Sequence, residues 1–181
     1  MKKVLRELFS TGLYLLVVLL LTSLVIRYIG QRTMVEGISM EPTLYDGDNL
    51  ILDKVTYRFS DPKRFDIVVF PFKYKEKTNY IKRIIGLPGE TVQIDEYGCI
   101  YINGEILPES YGKEIISSDR IGLAYEPIVL GEDEYFVMGD NRNHSTDSRT
   151  EVVGNVKRSE IIGRAWLRIW PFSRFGFISH Q

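Results

Sequence analysis

Ser39 and Lys82 are the residues of this chain whose types and settings suggest covalent chemistry. Ser39 sits in Gly37-Ile38-Ser39-Met40-Glu41-Pro42-Thr43-Leu44, just past a long apolar segment; Lys82 sits in Tyr80-Ile81-Lys82-Arg83-Ile84-Ile85-Gly86-Leu87-Pro88-Gly89. A serine hydroxyl is a weak nucleophile until a base takes its proton, and a desolvated lysine supplies that base when burial makes its neutral form accessible. Near its ordinary pKa of about 10.4 a lysine is neutral in roughly one molecule in several thousand at pH 7. Lowering that value by about three units takes about 4 kcal/mol of differential solvation, which burial in an apolar pocket supplies. Neighbouring residues of a strand face opposite sides. Arg83 is expected to be solvated or paired, and if it points to water, Lys82 points inward among Tyr80 and Ile84. The chemistry would be acyl transfer by a serine with a lysine base; a capped-turn hydroxyl and a surface ammonium are the plain alternatives.

Other reactive candidates are weaker. Ser39, His144 and Asp147 could be drawn as a conventional triad, but Asp147 lies only three residues from His144 in a tight loop. Cys99 is the single cysteine, so no intrachain disulfide forms. Nothing around it lowers a thiol pKa, and it reads as a small apolar residue in a strand.

These residues need elements to hold them. Leu8 to Ile26 carries no charge, and its 19 residues would make a helix of about 28 Å, close to the hydrocarbon thickness. Lys2, Lys3 and Arg6 precede it and Arg27 and Arg32 follow, which favours a cytoplasmic N-terminus. A cleaved leader is the competing reading, but no small-x-small triplet follows the apolar run. The expected organisation is a cytoplasmic segment 1–7, a single-pass anchor 8–29 in the cell membrane and an exocytoplasmic domain 30–181. Segment 95–132, richer in polar and turn residues, is an insertion or cap.

Past the anchor, short apolar runs predict strands at Asn49–Val55, Asp66–Phe72, Tyr80–Ile85, Thr91–Ile94, Cys99–Ile102, Glu134–Met138 and Ile161–Trp170. Asp46-Gly47, Asp61-Pro62, Pro88-Gly89, Asn103-Gly104 and Gly139-Asp140 mark the reversals. Asn103-Gly104 is the clearest hairpin, since both residues tolerate the positive φ of a type I′ turn. Helical periodicity is hardly visible beyond the anchor. The fold class is therefore mainly β, a sandwich or a partly open barrel, with one N-terminal transmembrane helix. Trp166, Trp170, Phe172, Phe175 and Phe177 read as core or tail packing, with an interfacial aromatic belt as the alternative. A net charge of −1 over 181 residues leaves no positive field for a polyanion, so nucleic acid is not an expected partner.

Three runs together carry a resemblance: Gly37-x-Ser39-Met40-x-Pro42-Thr43-Leu44, Lys82-Arg83-Ile84-Ile85-Gly86-Leu87-Pro88-Gly89-Glu90, and Gly139-Asp140-Asn141-Arg142-x-x-Ser145-x-Asp147-Ser148-Arg149. The chain resembles the bacterial type I signal peptidases over nearly its whole length, with a Gram-positive-like single span and short insertion. The resemblance implies Ser39 as nucleophile and Lys82 as general base at an exocytoplasmic site. It implies the Ser39 backbone N–H as an oxyanion donor, Ser145 as the hydroxyl that orients the lysine, and Asp147 with Arg149 as a supporting ion pair, with Asp140 and Arg142 nearby. Some members place a serine two residues before the nucleophile; this chain has Gly37 there, leaving backbone or water as second donor. Asn143 and His144 replace the Asp-Asn that several members show. Partners implied are signal-peptide-bearing precursors, cut after small residues at the first and third positions, and the lipid bilayer, with no metal or cofactor. Two rival functions compete with this reading, a non-catalytic membrane chaperone for surface-structure assembly and a self-cleaving regulator. The chaperone has no need of Ser39 and Lys82, and the regulator would carry a DNA-binding domain where this chain has an apolar helix.

Overall fold

The computed structural model describes residues 2–28, 30–75 and 78–180; position 29, the expected end of the anchor, and both chain ends lie outside them. The apolar N-terminal run forms α1 (Lys2–Tyr28), within which Arg6–Leu24 is long and apolar enough to cross a membrane and is unburied by the rest of the chain. Short strands follow: β1 (Gly30–Met34), β2 (Asn49–Asp53), β3 (Ile67–Pro71), β4 (Asn79–Gly86), β5 (Thr91–Ile94), β6 (Ile100–Ile102), β7 (Glu105–Ile106), β8 (Ile128–Val129), β9 (Glu134–Met138), β10 (Val156–Lys157), β11 (Gly163–Trp170) and β12 (Gly176–Phe177). The seven predicted strands are all present, with ends moved by up to two residues. Those unseen in the sequence, such as β1 (Gly-Gln-Arg-Thr-Met) and the two-residue β8, β10 and β12, are polar or too short for a period-two pattern.

The antiparallel main sheet runs β1-β2-β11-β3-β4-β9-β10, with β12 on β11. A second sheet runs β7-β6-β5-β8. Neither sheet closes on itself among the described residues, so the fold is mainly β with no closed barrel. The β6–β7 turn has Asn103 at φ 52° and Gly104 at φ 83°, as the type I′ hairpin requires.

β4 is buried on both faces. Ile81 joins a core with Leu50, Leu52, Ile67, Val69 and Ala165 on one face, and Ile84 one with Val68, Phe70, Tyr135 and Val137 on the other. A third core around Ile85, Val92, Ile94, Phe136 and Met138 joins the two sheets. Of the two settings expected for Arg83, solvated or paired, the paired one is realised, with Asp140, next to an inward Lys82. Arg83 and Lys82 are both buried, at 1% and 4% exposure, because the strand has no solvent face there. The C-terminal aromatics are not core. Trp166, Trp170, Phe172, Phe175 and Phe177 are 42–75% exposed; Trp166 packs on Phe177 and Trp170 on Phe172 within the tail. Cys99 is exposed in the turn before β6, where its N–H donates to Asp95, rather than packed within the strand.

Gly86 ends β4 where the sheets meet; a Cβ there would collide with Val92 and lie 2.7 Å from Leu130 Cδ1 and 3.1 Å from Phe136 Cβ. Gly86→Ala is therefore expected to destabilise by about 2 kcal/mol through overpacking. A urea titration with the midpoint of the parent chain would show instead that the two sheets part freely.

Candidate active site

The turn between β1 and β2 carries Ser39. Its base is pinned by Val35 N–H to the Asp48 carbonyl (2.8 Å) and by Gly37 N–H to Asp46 Oδ1 (2.7 Å), and Met40 and Leu44 are sunk into the core. Asp48 is itself fully buried and held by Arg168, Arg174 and the Tyr45 N–H. Gly37 takes φ +88°, a conformation that side chains other than glycine's rarely adopt. The Gly37 N–H is spent on Asp46, whereas the Ser39 N–H has no hydrogen-bond acceptor among the described residues.

Lys82 reaches the same point from β4. Its Nζ donates to Ser39 Oγ at 2.9 Å and to the Ile81 carbonyl at 3.0 Å, and lies 5.0 Å from the centre of the Tyr80 ring. Burial pushes the amine down to about 8. The Asp147 and Asp140 carboxylates work against that shift and the Arg149 guanidinium with it.

The loop 139–149, after β9, forms the third wall. Asp140 accepts from Arg83 Nε (2.8 Å) and Nη2 (2.7 Å) and from Thr43 Oγ1 (2.6 Å). Asp147 accepts from Arg149 Nε and Nη2, both at 2.8 Å, and from the Gly139 N–H at 3.0 Å. Burial alone would raise the Asp147 carboxyl, but the Arg149 guanidinium and that N–H hold it below the usual carboxylate range. Asn141 donates its N–H to the Ser39 carbonyl and its Nδ2 to the Ile38 carbonyl, each at 3.1 Å, tying loop to nucleophile turn. Arg142 pairs with Glu109 (2.5 and 2.6 Å), not with Asp140. A Cβ at Gly139 would strike both the Ser39 carbonyl and Ser145 Oγ, so only glycine lets the loop come this close.

Ser145 thus lies close to the Ser39 backbone; its buried Oγ is near enough to the Asp147 carboxylate to help hold its pKa down, though without a hydrogen bond of ordinary geometry, and it does not bond Lys82, whose second acceptor is the Ile81 carbonyl. His144 is exposed, and both Asp147 oxygens face Arg149, so Ser39, His144 and Asp147 do not assemble as a triad. Sequence reasoning missed Thr43, Glu109 and the acceptor role of Ile81. Thr43 lies inside a quoted motif, but nothing near Glu109 marks it as the partner of a distant arginine.

A groove of about 540 Å³ opens beside the pair, lined by Gln31 to Met40, Thr78 to Lys82, His144 and Thr146. Two strand edges face it. β1 ends the sheet, and β9 pairs with β4 only from Arg83 onward, so Asn79 to Lys82 have no partner on that side among the described residues.

A family model described as signal peptidase, peptidase S26, matches residues 8–170. The chain belongs to that family. It is 40% identical to the probable signal peptidase I-2 of Synechocystis sp. over 84% of its own length and 68% of the relative's. It is 35% identical to signal peptidase I T of Bacillus subtilis over 90% and 85%. A solved signal peptidase I from Enterococcus faecalis is 36% identical, covers 58% of this chain and 97% of its own, and superposes with a TM-score of 0.48. The activity is that of a signal peptidase I, a hydrolase that removes signal peptides.

For a signal peptidase the site carries a stability cost. The folded value of Lys82 lies below the ordinary 10.5, so the stability it forfeits is present above pH 10.5 and lost as pH falls through about 8. Replacing the amine by an apolar chain of similar length should recover it. Lys82→Met is expected to raise unfolding free energy by up to about 3 kcal/mol at pH 6, the gain vanishing above pH 10.5. Denaturant titrations at the two pH values check this, and equal gains at both would contradict it.

Proposed function

We propose that this signal peptidase works through Ser39 and Lys82 as a catalytic dyad, on the outer face of a membrane that α1 crosses once with its N-terminus inside. The observation that carries the reading is the 2.9 Å contact between Ser39 Oγ and an almost fully buried lysine amine. While charged, the amine donates to the hydroxyl. Once neutral it accepts the hydroxyl proton as Oγ attacks the scissile carbonyl, then delivers that proton to the leaving amine. In the second half-reaction it takes a proton from water and returns it to Oγ as the acyl bond is hydrolysed.

The unspent Ser39 N–H serves the developing oxyanion. Gly37 cannot contribute, having no side chain and an N–H bound to Asp46. Asp140 and Asp147 pull the lysine toward its charged form, and their buried arginines limit that pull. Ser145, packed against Gly139 where that glycine meets the Ser39 carbonyl, shapes the wall beside the pair. The two unpaired edges suit an extended precursor segment laid between them as an added strand, with the cut site over Ser39. Residues 30–181 act as the exocytoplasmic catalytic unit, with 95–132 inserted into it.

With purified chain and a synthetic signal peptide, Ser39→Ala and Lys82→Met should each lose at least about 1,000-fold in kcat, while His144→Ala stays within about threefold of the parent. Since the base acts only when neutral, kcat/KM should rise with pH and level off above about 8. Turnover surviving in Ser39→Ala, or a rise governed by His144, would remove the dyad.

A further inference from the structure

Residues 107–117, which connect β7 to the rest of the small sheet, wind around the outside of the loop 139–149. Three contacts fasten them. Glu109 clamps Arg142, which is 1% exposed, with both carboxylate oxygens. The Tyr111 ring lies 4.0 Å from the Arg83 guanidinium carbon and 5.6 Å from that of Arg142, and packs edge-on against Phe65. Lys113 donates its N–H to the Asp140 carbonyl (2.9 Å) and its Nζ to Glu41 (2.7 Å), two residues beyond the nucleophile. The backbone at Gly112 runs so close that a Cβ there would lie 3.3 Å from Glu109 Oε1 and 3.5 Å from the Arg142 guanidinium carbon. Farther along, Asn143 bonds Glu114, the Ile115 carbonyl and the Ser117 N–H. None of residues 107–117 lines the groove.

We propose that this strap is a positioning element for the catalytic loop, with Glu109 and Tyr111 as its working residues. They fix Arg142 and Arg83, and through them the loop that contacts the Ser39 turn and supplies the carboxylates around Lys82. The idea rests on the Ser39–Lys82 reading. Arg142 and Arg83 are buried cations of the same sign, and the strap brings both a carboxylate and a ring face to hold them side by side. A displacement of about 1 Å at the reacting atoms costs on the order of 100-fold in rate, whereas most of the residues that line the groove, among them Gln31 to Met34 and Thr78 to Lys82, lie outside the loop and would bind substrate as before. The Tyr111 hydroxyl is enclosed beside the Glu109 carboxylate without making a hydrogen bond of ordinary geometry, and that carboxylate is already committed to Arg142, so the ring rather than the hydroxyl is what matters.

The test uses the full chain in detergent with a synthetic signal peptide, comparing Glu109→Gln, Tyr111→Leu and Tyr111→Phe, with Ser39→Ala alongside and melting curves for each. Glu109→Gln and Tyr111→Leu should lose about 10- to 100-fold in kcat with KM within about twofold, and Tyr111→Phe should keep the parent kcat. Should Glu109→Gln fail to fold, Glu109→Asp, which draws the carboxylate back from the Arg142 guanidinium, takes its place with the same expectation. A folded variant with unchanged kcat, a loss carried by KM, or equal losses in Tyr111→Leu and Tyr111→Phe would overturn the proposal. Activity retained in Ser39→Ala would instead sink the dyad reading, so the two failures are distinguishable.

Discussion

Everything in this site depends on keeping water from one amine. Lys82 lies on a strand covered on both faces, and that double burial holds its pKa near 8. The same burial constrains every charge around it. Asp140 and Asp147 each draw the lysine back toward its charged form, and each is bonded by a guanidinium, from Arg83 and from Arg149. Leaving a buried carboxylate without its arginine would cost about 3 to 5 kcal/mol and would strengthen its hold on the ammonium. The ion pairs are thus part of the setting of the amine as well as part of the fold.

The second constraint is close approach. The nucleophile turn and the loop 139–149 meet through backbone groups, with Asn141 bonding the carbonyls of Ile38 and Ser39. Gly139 permits that contact, and Gly37 permits the turn. Their glycines answer different needs. One must lack a Cβ because another backbone occupies its space; the other must adopt a positive φ with open space around it. Arg83 links the two constraints, since it bonds Asp140 of the loop and Thr43 of the turn while adjoining Lys82 on β4.

Strands with a buried apolar face, such as Thr91–Ile94 and Glu134–Met138, were legible to the residue, because their patterns are set by the pleat and closed by turn residues. β1 was not, because an edge strand beside a groove is polar on the side it exposes. The burial of Arg83 was hidden as well. A strand flanked by two cores looks locally like one flanked by a core and solvent when its charged residue finds a distant partner. For the aromatics from Trp166 to Phe177 the sequence left core and tail packing undivided, since composition records how apolar a residue is and not whether anything covers it.

By itself, the sequence determined which side chains are capable of acyl transfer, that the chain has one segment able to span a bilayer, and that the remainder is built of short strands. Each of these follows from residue type and local spacing. Only the tertiary structure decided that Lys82 lies within hydrogen-bond reach of Ser39 and that Arg142 pairs with Glu109 instead of its neighbour Asp140. Those choices depend on contacts between residues far apart in the chain and on where water is excluded, and both are properties of the packed sheets rather than of any local stretch.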